Sequence, residues 1–417
     1  MRFGAALLML TLSGLVSANR FAYVTNNAST GAEQSVQPGL GIIDLTYRST
    51  VPFIVLPGNS DTVAVSADGL TLYAAGREFG RVYVVDLETA KYTTTINYGT
   101  GASPVGVDIS PDGSLLYVSH VGGFSAINTA TRVAITAAPG TALTYSGNGV
   151  RFLPGLPYAV FTGSDGLSIV WTGDHTVKAE VASLPGARGT AVYPDPDLAV
   201  VYVANQNEDS IAAVVLSNTA TPDLLSAGAS KVYLEAGCAP RDLTVSADGA
   251  YLYVVCEGDL AETSTVNGQL AILSLASPGV PVLDHYMDLN DEGGGTYFNA
   301  NGMHPSAITT ADNGRVYVLK NIWGAADTNN NGFWLSTLEQ SGAQLTEIDR
   351  VYTGWAGIKT TLIFDDFVGP ECELCKKGYQ PETRVEIKRP AAWSPPGLLL
   401  LLASLLAFRL WRRAQPQ

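Results

Sequence analysis

Four histidines and four cysteines are all that this chain has in 417 residues, and that scarcity removes whole classes of chemistry. His120, His175, His285 and His304 stand far apart and make no local metal motif. No Gly-x-Ser-x-Gly elbow, His-Glu-x-x-His helix or phosphate loop occurs, and no glycine-rich dinucleotide fingerprint follows a strand. An active site would have to be assembled from residues distant in sequence. Positive charge is short as well: 24 basic residues face 38 acidic ones, a net charge of −14. The first 18 residues hold one basic residue and the tail from Glu371 holds eight basic and four acidic, which leaves residues 19–370 with 15 basic against 34 acidic. Such a surface argues against nucleic acid as a partner. It suits a cation or a cationic partner, and solubility alone also accounts for it.

What is abundant is one short phrase. Ala22-Tyr23-Val24-Thr25-Asn26-Asn27 returns as Leu72-Tyr73-Ala74, Leu116-Tyr117-Val118-Ser119, Val201-Tyr202-Val203-Ala204-Asn205, Leu252-Tyr253-Val254 and Val316-Tyr317-Val318. Tyr158-Ala159-Val160-Phe161 fills the double gap between Tyr117 and Tyr202, so there are seven units. A second phrase precedes several of them: Val63-Ala64-Val65-Ser66-Ala67-Asp68-Gly69, Val107-Asp108-Ile109-Ser110-Pro111-Asp112-Gly113 and Leu243-Thr244-Val245-Ser246-Ala247-Asp248-Gly249. Each reads as an alternating strand running into an Asp-Gly turn, so the two phrases form a hairpin.

A third strand follows, ending near an aspartate, as in Val82-Tyr83-Val84-Val85-Asp86 and Gly41-Ile42-Ile43-Asp44, and then a fourth rich in Thr, Val and Ile. Seven units of four antiparallel strands predict an all-β, seven-bladed β-propeller. A lone four-stranded sheet cannot bury both faces, and radial stacking buries them for every unit at once. A β-sandwich also has short strands and frequent turns, but it does not repeat one phrase along its length. The first tyrosine strand has no hairpin partner before it, whereas Lys359-Thr360-Thr361-Leu362-Ile363-Phe364 is left over after the seventh unit. This C-terminal strand is expected to become the innermost strand of blade one and so close the ring.

Ser-Pro-Asp-Gly, Leu-Tyr-Val and a Val-Asp strand in succession resemble the YVTN repeat family of β-propellers, secreted and cell-surface proteins of bacteria and archaea. Tyr23-Val24-Thr25-Asn26 is the phrase that names the family. The resemblance covers residues 20–365, strongest in blades two, three and six. Blade four has no recognisable Asp-Gly turn. The resemblance implies a binding or surface protein, while neighbouring seven-bladed groups include lactonases and subunits of redox enzymes; fold analogy does not choose among them.

Residues 1–18 read as a signal peptide, with Arg2, an apolar run from Ala5 to Leu10 and the small-residue ending Val16-Ser17-Ala18. Residues 19–365 are the propeller and 366–392 a stalk. Residues 393–417 read as a membrane anchor: Pro395-Pro396-Gly397, an apolar stretch from Leu398 to Phe408, then Arg409, Trp411, Arg412 and Arg413. The apolar core is short for a transmembrane helix, and counting from Ala391 to Trp411 with Arg409 snorkelling brings it to length. A C-terminal sorting signal removed by a transpeptidase is the alternative. Either way the chain is expected to cross the cytoplasmic membrane and work in the periplasm or cell envelope.

Four cysteines in a secreted chain invite pairing. Cys238 opens the inner strand of blade six and Cys256 ends the next, almost opposite across the hairpin, so a disulfide is predicted there. Cys372 and Cys375 form a lone Cys-x-x-Cys; zinc would need two more ligands and haem attachment a His where Lys376 stands, which points to a local disulfide. Calcium is the one cofactor that the sequence suggests. Asp327, Asn329 and Asn331 alternate before Gly332, as in the first half of an EF-hand loop, though Leu338 occupies the place of the closing Glu. Asp288, Asn290 and Glu292 alternate similarly; both sets also suit plain polar loops.

Arg241, His304 and His120 are the candidates to face the central channel, with an isolated hydrogen-bonding role or a structural salt bridge as the ordinary alternative. Tyr297, Phe298, Trp323 and Phe333, on or beside the long connections of blades six and seven, are candidates for an interface or for caps on the blades. The expected function is a binding or scaffolding module, with a protein partner in the envelope or a small ligand in the channel. A channel enzyme of lactonase type, a periplasmic redox subunit and a surface-layer protein are the rivals.

Overall fold

Seven sheets form, six of four strands and the third with two short outer strands, Val133–Ala134 and Thr141–Ala142, in place of one, and their edges show how the chain closes. The computed structural model describes residues 19–26, 38–45, 49–76, 80–99, 103–136, 141–195, 197–258, 268–289, 303–311, 313–322, 333–352 and 362–367. Blade one joins the two ends of the described chain: Leu362–Phe367 pairs antiparallel with Asn19–Asn26, followed outward by Gly39–Asp44 and Ser49–Val55. The predicted closure is therefore present, and the closing strand runs past residue 365 to Phe367. Blades two to seven begin with the inner strands Ser60–Val65, Pro104–Ile109, Gly147–Phe152, Ala187–Val192, Pro240–Val245 and Met303–Thr310. These strands pack side by side around the ring, giving a seven-bladed propeller.

Alternation explains the stacking. In the second strand of blade five, Tyr202 and Ala204 enter the core shared with Leu252 and Val254 of blade six. Val201 and Val203 enter the core shared with Tyr158 and Val160 of blade four. One strand thus serves two interfaces, and both of its faces are apolar because neither meets water.

In blades three, four and five the recurrent tyrosine is an inter-blade staple. Tyr158 of blade four donates to the Thr219 carbonyl (2.8 Å), in the outer turn of blade five. Tyr202 of blade five donates to the Pro278 carbonyl (2.9 Å), in the outer turn of blade six. The Tyr117 hydroxyl lies 2.7 Å from Nδ1 of His175, in the outer turn of blade four. In these three blades the ring fills a core and the hydroxyl still finds a partner, a combination that neither Phe nor Leu offers.

The second phrase is a self-capped turn. In blade three Ser110 donates to Asp112, Ser114 N–H donates to the same carboxylate (3.0 Å) and Leu115 N–H to the Ser110 hydroxyl (2.9 Å). Gly113 takes a positive φ of 72°, a conformation that glycine adopts at little cost. Blade four closes a loop of the same length with Leu153-Pro154-Gly155-Leu156, Leu153 N–H donating to the Tyr158 carbonyl (2.9 Å), but the positive φ falls one position earlier, on Gly155. Its phrase escapes a search for Asp-Gly because Gly155 supplies the positive φ of 69° without the aspartate.

The predicted Cys238–Cys256 disulfide is present, with 4.6 Å between the Cα atoms. Around it, Asp209 of blade five accepts from Gly237 N–H (2.9 Å) and Ala239 N–H (2.7 Å). Among the described residues no helix is long and apolar enough to cross a membrane. The expected signal peptide, the anchor and Cys372–Cys375 lie outside the described residues. So do Asp327, Asn329, Asn331, Asn290, Glu292, Tyr297, Phe298 and Trp323.

Candidate functional site: the central channel

Every inner strand from blade two to blade seven carries a register break against its neighbour, always near its start: between Ser60 and Val63, Pro104 and Gly106, Gly147 and Gly149, Ala187 and Thr190, Pro240 and Asp242, and Pro305 and Ala307. A bulge leaves its extra residue out of the ladder and re-aims its side chain. Val105, Asn148, Arg241 and Ser306 are the residues skipped in four blades, and the wider breaks of blades two and five include Thr62 and Arg188; all six line one chamber of about 170 Å3. A repeated backbone irregularity thus collects one side chain per blade at one mouth of the channel.

The inner strands come close enough there to require glycine. A Cβ on Gly189 would lie 2.6 Å from Cα of Asp242, and one on Gly106 would lie 2.8 Å from Cα of Gly149. Further along, a second chamber of about 440 Å3 is lined by Thr190, Thr244, Thr309, Thr310, Val192 and Ile308 among others. Arg151, Thr190 and Asp242 line both chambers, so they stand where the two meet.

The charges at the mouth form a chain. Arg241 is paired with Glu257, whose other oxygen accepts from Gln206 Nε2 (3.0 Å); Gln206 Oε1 accepts from Arg188 Nε (3.0 Å). Glu257 directly follows Cys256, so the disulfide and the Asp209 bonds hold the acceptor of Arg241 in place. Arg151 differs. Its guanidinium donates to the Val150 carbonyl (3.3 Å), and no described carboxylate lies within 4 Å of it.

Two buried aspartates lie within range of its charge. Asp108 accepts from Phe152 N–H (2.9 Å) of the adjacent blade and from Ile109 N–H (3.0 Å). Asp242 repeats the arrangement with Ile308 N–H (3.0 Å) and Leu243 N–H (3.0 Å). Each stitches one inner strand to the next. Burial pushes both carboxyls up from the ordinary range, against the Arg151 charge and the backbone donors that pull them down. Thr62, Thr190 and Thr310 border the chambers, but their hydroxyls are buried, closed to solvent and without a partner. Thr190 is only 9% exposed.

Of the channel candidates read from the sequence, Arg241 lines the mouth and carries the salt bridge that was its ordinary alternative. His120 lies in the core between blades two and three, stacked on Tyr98 at 6.3 Å with Nδ1 3.3 Å from the Val121 carbonyl, and is not among the chamber residues. His304 is in the inner strand of blade seven and Phe333 begins the third strand of that blade. Asp288 ends the outer strand of blade six. Among the described residues no three His, Cys, Asp or Glu side chains gather as metal ligands. Arg151 and Thr190 were missed by sequence reasoning. The one available signal was the residue after proline in Pro104-Val105, Pro240-Arg241 and Pro305-Ser306, which marks three of the bulges.

No protein-family model matches the chain. No curated protein matches it. Solved structures do resemble it. A hypothetical selenium-binding protein from Sulfolobus tokodaii superposes with a TM-score of 0.60 at 13% identity, covering 83% of this chain and 93% of that one. The periplasmic gluconolactonase of Pseudomonas aeruginosa gives 0.58 at 14% identity, covering 83% and 99%. A putative 6-phosphogluconolactonase from Bacteroides fragilis gives 0.57 at 16% identity, covering 84% and 99%. At these identities the likeness defines the fold class, a seven-bladed β-propeller, and nothing narrower.

Proposed function

We propose that this protein is an extracytoplasmic binding propeller whose channel takes a small anionic ligand, with the C-terminal segment holding it at the membrane. The observation that carries this reading is Arg151: a guanidinium in the channel wall, at the junction of two chambers, with no described carboxylate in ion-pair range. A cation kept partly out of water is stabilised by an anion that brings its own acceptors, and the guanidinium fork fits a carboxylate or phosphate. The disulfide supports the extracytoplasmic part, because such bonds persist in oxidising compartments.

A second reading, hydrolysis of a lactone, is favoured by Asp242 beside Arg151 in a propeller similar to two lactonases. A carboxyl with a raised pKa is a stronger proton acceptor than an ordinary one, and a neighbouring guanidinium suits a developing oxyanion. The test is thermal stabilisation by acetate and by phosphate at constant ionic strength. Ligand binding raises Tm with concentration, and the rise is expected in the natural protein and lost in Arg151→Met. No rise with either anion, or one that Arg151→Met retains, refutes the anion site. Base uptake with a simple δ-lactone, abolished by Asp242→Asn, would move the assignment to the second reading.

A further inference from the structure

We infer that Glu257 is a positioning residue of the channel mouth, setting how strongly Arg241 attracts an anion, and that the Cys238–Cys256 disulfide holds it in that role; this rests on the reading of the channel as an anion site. Arg151, Arg188 and Arg241 line the smaller chamber, whereas Glu257 lines neither chamber. Its side chain is only 10% exposed, yet it reaches two of the three arginines. One oxygen pairs with Arg241, and the other accepts from Gln206 Nε2 (3.0 Å), whose Oε1 accepts from Arg188 Nε (3.0 Å). A carboxylate in contact with a guanidinium offsets much of the attraction that the guanidinium exerts on a second anion. From behind the wall, Glu257 therefore lowers the positive charge that the chamber presents.

The blade itself does not require an acid there. The residue directly after the second strand is Val121 in blade three, Ser164 in blade four and Gln206 in blade five, and it is Glu257 in blade six. The surroundings of Glu257 are also built beyond what the strand ladder supplies. Pairing of the first two strands of blade six ends at Pro240 and Cys256. Past that point Glu257 N–H donates to the Ala239 carbonyl (3.3 Å) and Gly258 N–H to the Cys238 carbonyl (3.1 Å), at the long end of the usual range. Ala239 takes a positive φ of 48°, which is unfavourable for a residue with a Cβ. A hairpin end with long bonds and a strained residue opens readily. The buried disulfide closes it, while Asp209 grips Gly237 and Ala239 from blade five. Without the disulfide, Glu257 leaves Arg241 part of the time and the chamber gains positive charge.

The test is isothermal titration of the full chain with sodium acetate and with inorganic phosphate, at fixed pH and ionic strength. Glu257→Gln keeps the shape and an oxygen acceptor and removes the charge. It is expected to tighten phosphate binding by about 5- to 10-fold, the effect of one uncompensated charge near the ligand. Adding Arg241→Met is expected to abolish that gain. Cys238→Ala/Cys256→Ala, shown by circular dichroism to be folded at the titration temperature, is expected to tighten binding by about 2- to 5-fold, a partial effect because Glu257 is displaced only part of the time. In the Glu257→Gln background the cysteine replacements are expected to add nothing. A general loosening of the fold would weaken binding, so the sign of the change separates positioning from stability. Equal or weaker binding by Glu257→Gln, with binding still lost in Arg151→Met, would overturn the inference and leave the anion site standing. A cysteine variant that binds like the natural protein, beside a tighter Glu257→Gln, would overturn the role of the disulfide. No binding of either anion by any of these proteins would overturn the inference together with the anion site.

Discussion

Three tyrosines from the same repeated phrase should respond differently to the same substitution. Tyr158 and Tyr202 each donate to a carbonyl in the outer turn of the next blade, at 2.8 and 2.9 Å. The hydroxyl of Tyr253 is buried and has no partner. Replacement by Phe keeps the ring and therefore the packing, and removes only the hydroxyl. At positions 158 and 202 that removes one hydrogen bond, worth about 1 kcal/mol. At position 253 it removes a desolvated group without losing a bond, which should stabilise the fold by about 1 kcal/mol. A ring of roughly 350 residues unfolds with about 2.1 cal/mol/K per residue, so 1 kcal/mol moves Tm by only about 1.4 °C. Tyr158→Phe and Tyr202→Phe share no partner, so their effects should add. The double variant is expected to melt about 3 °C below the natural protein, and Tyr253→Phe about 1 °C above it, by scanning calorimetry at two scan rates. A fall for Tyr253→Phe equal to that of Tyr158→Phe would refute the staple, because the repeated tyrosine would then act through its ring alone.

Other perturbations test the ion pairs and turns. Lys320 is fully buried in blade seven, with Nζ 2.9 Å from Glu347, which also accepts from Arg350 (2.7 Å) and Ser336 (2.9 Å). Burial raises the Glu347 pKa, but these bonds outweigh it and hold the carboxyl below its ordinary value. Lys320→Met should cost about 3 kcal/mol, the lower end for breaking a buried pair because Glu347 keeps two partners; urea unfolding checks it. Asp68, Asp112 and Asp248 are held below their ordinary pKa chiefly by the serine hydroxyls of their own turns. Their stabilisation is complete above the unfolded value of about 3.9 and is lost as pH falls through the lower folded values. Replacing all three by Asn should lower stability at pH 7 and flatten the acid limb of the stability curve, whereas an unchanged acid limb would refute the assignment. Cys238 and Cys256 are 18 residues apart, so Cys238→Ala/Cys256→Ala should lose about 3 kcal/mol on loop-entropy grounds, seen as a lower urea midpoint that dithiothreitol no longer shifts.

Much of the fold was legible because it is written locally. The tyrosine phrase carries an alternation over five or six residues, and two apolar faces in one strand already demand sheets on both sides. Ser110 and Asp112 specify their turn through bonds spanning five residues or fewer. Cys238 lies two residues before the inner strand rather than opening it, and Pro240 faces Cys256, so the hairpin still brings the two cysteines within bonding reach. Closure by the last strand followed from counting a missing partner at one end and a spare strand at the other. Blade four resisted because Leu153-Pro154-Gly155-Leu156 closes a loop of the same length with the positive φ one position earlier and no aspartate.

The candidate site was legible only at its edges. Arg241 was placed near the mouth because it sits where an inner strand begins, but its pairing with Glu257 needed the hairpin register. Arg151 carries no local sign of its role: in sequence it is one arginine in a strand, four residues after Gly147. What the sequence by itself determined is the blade, through alternation, turn chemistry and repetition within a few residues. The tertiary structure alone decided the channel. Six bulges shift the alternation by one residue each, and ring closure then brings Arg151, Thr190 and Asp242 from three different blades to one wall. A contact between blades depends on how whole sheets stack, and no short stretch of chain contains that information.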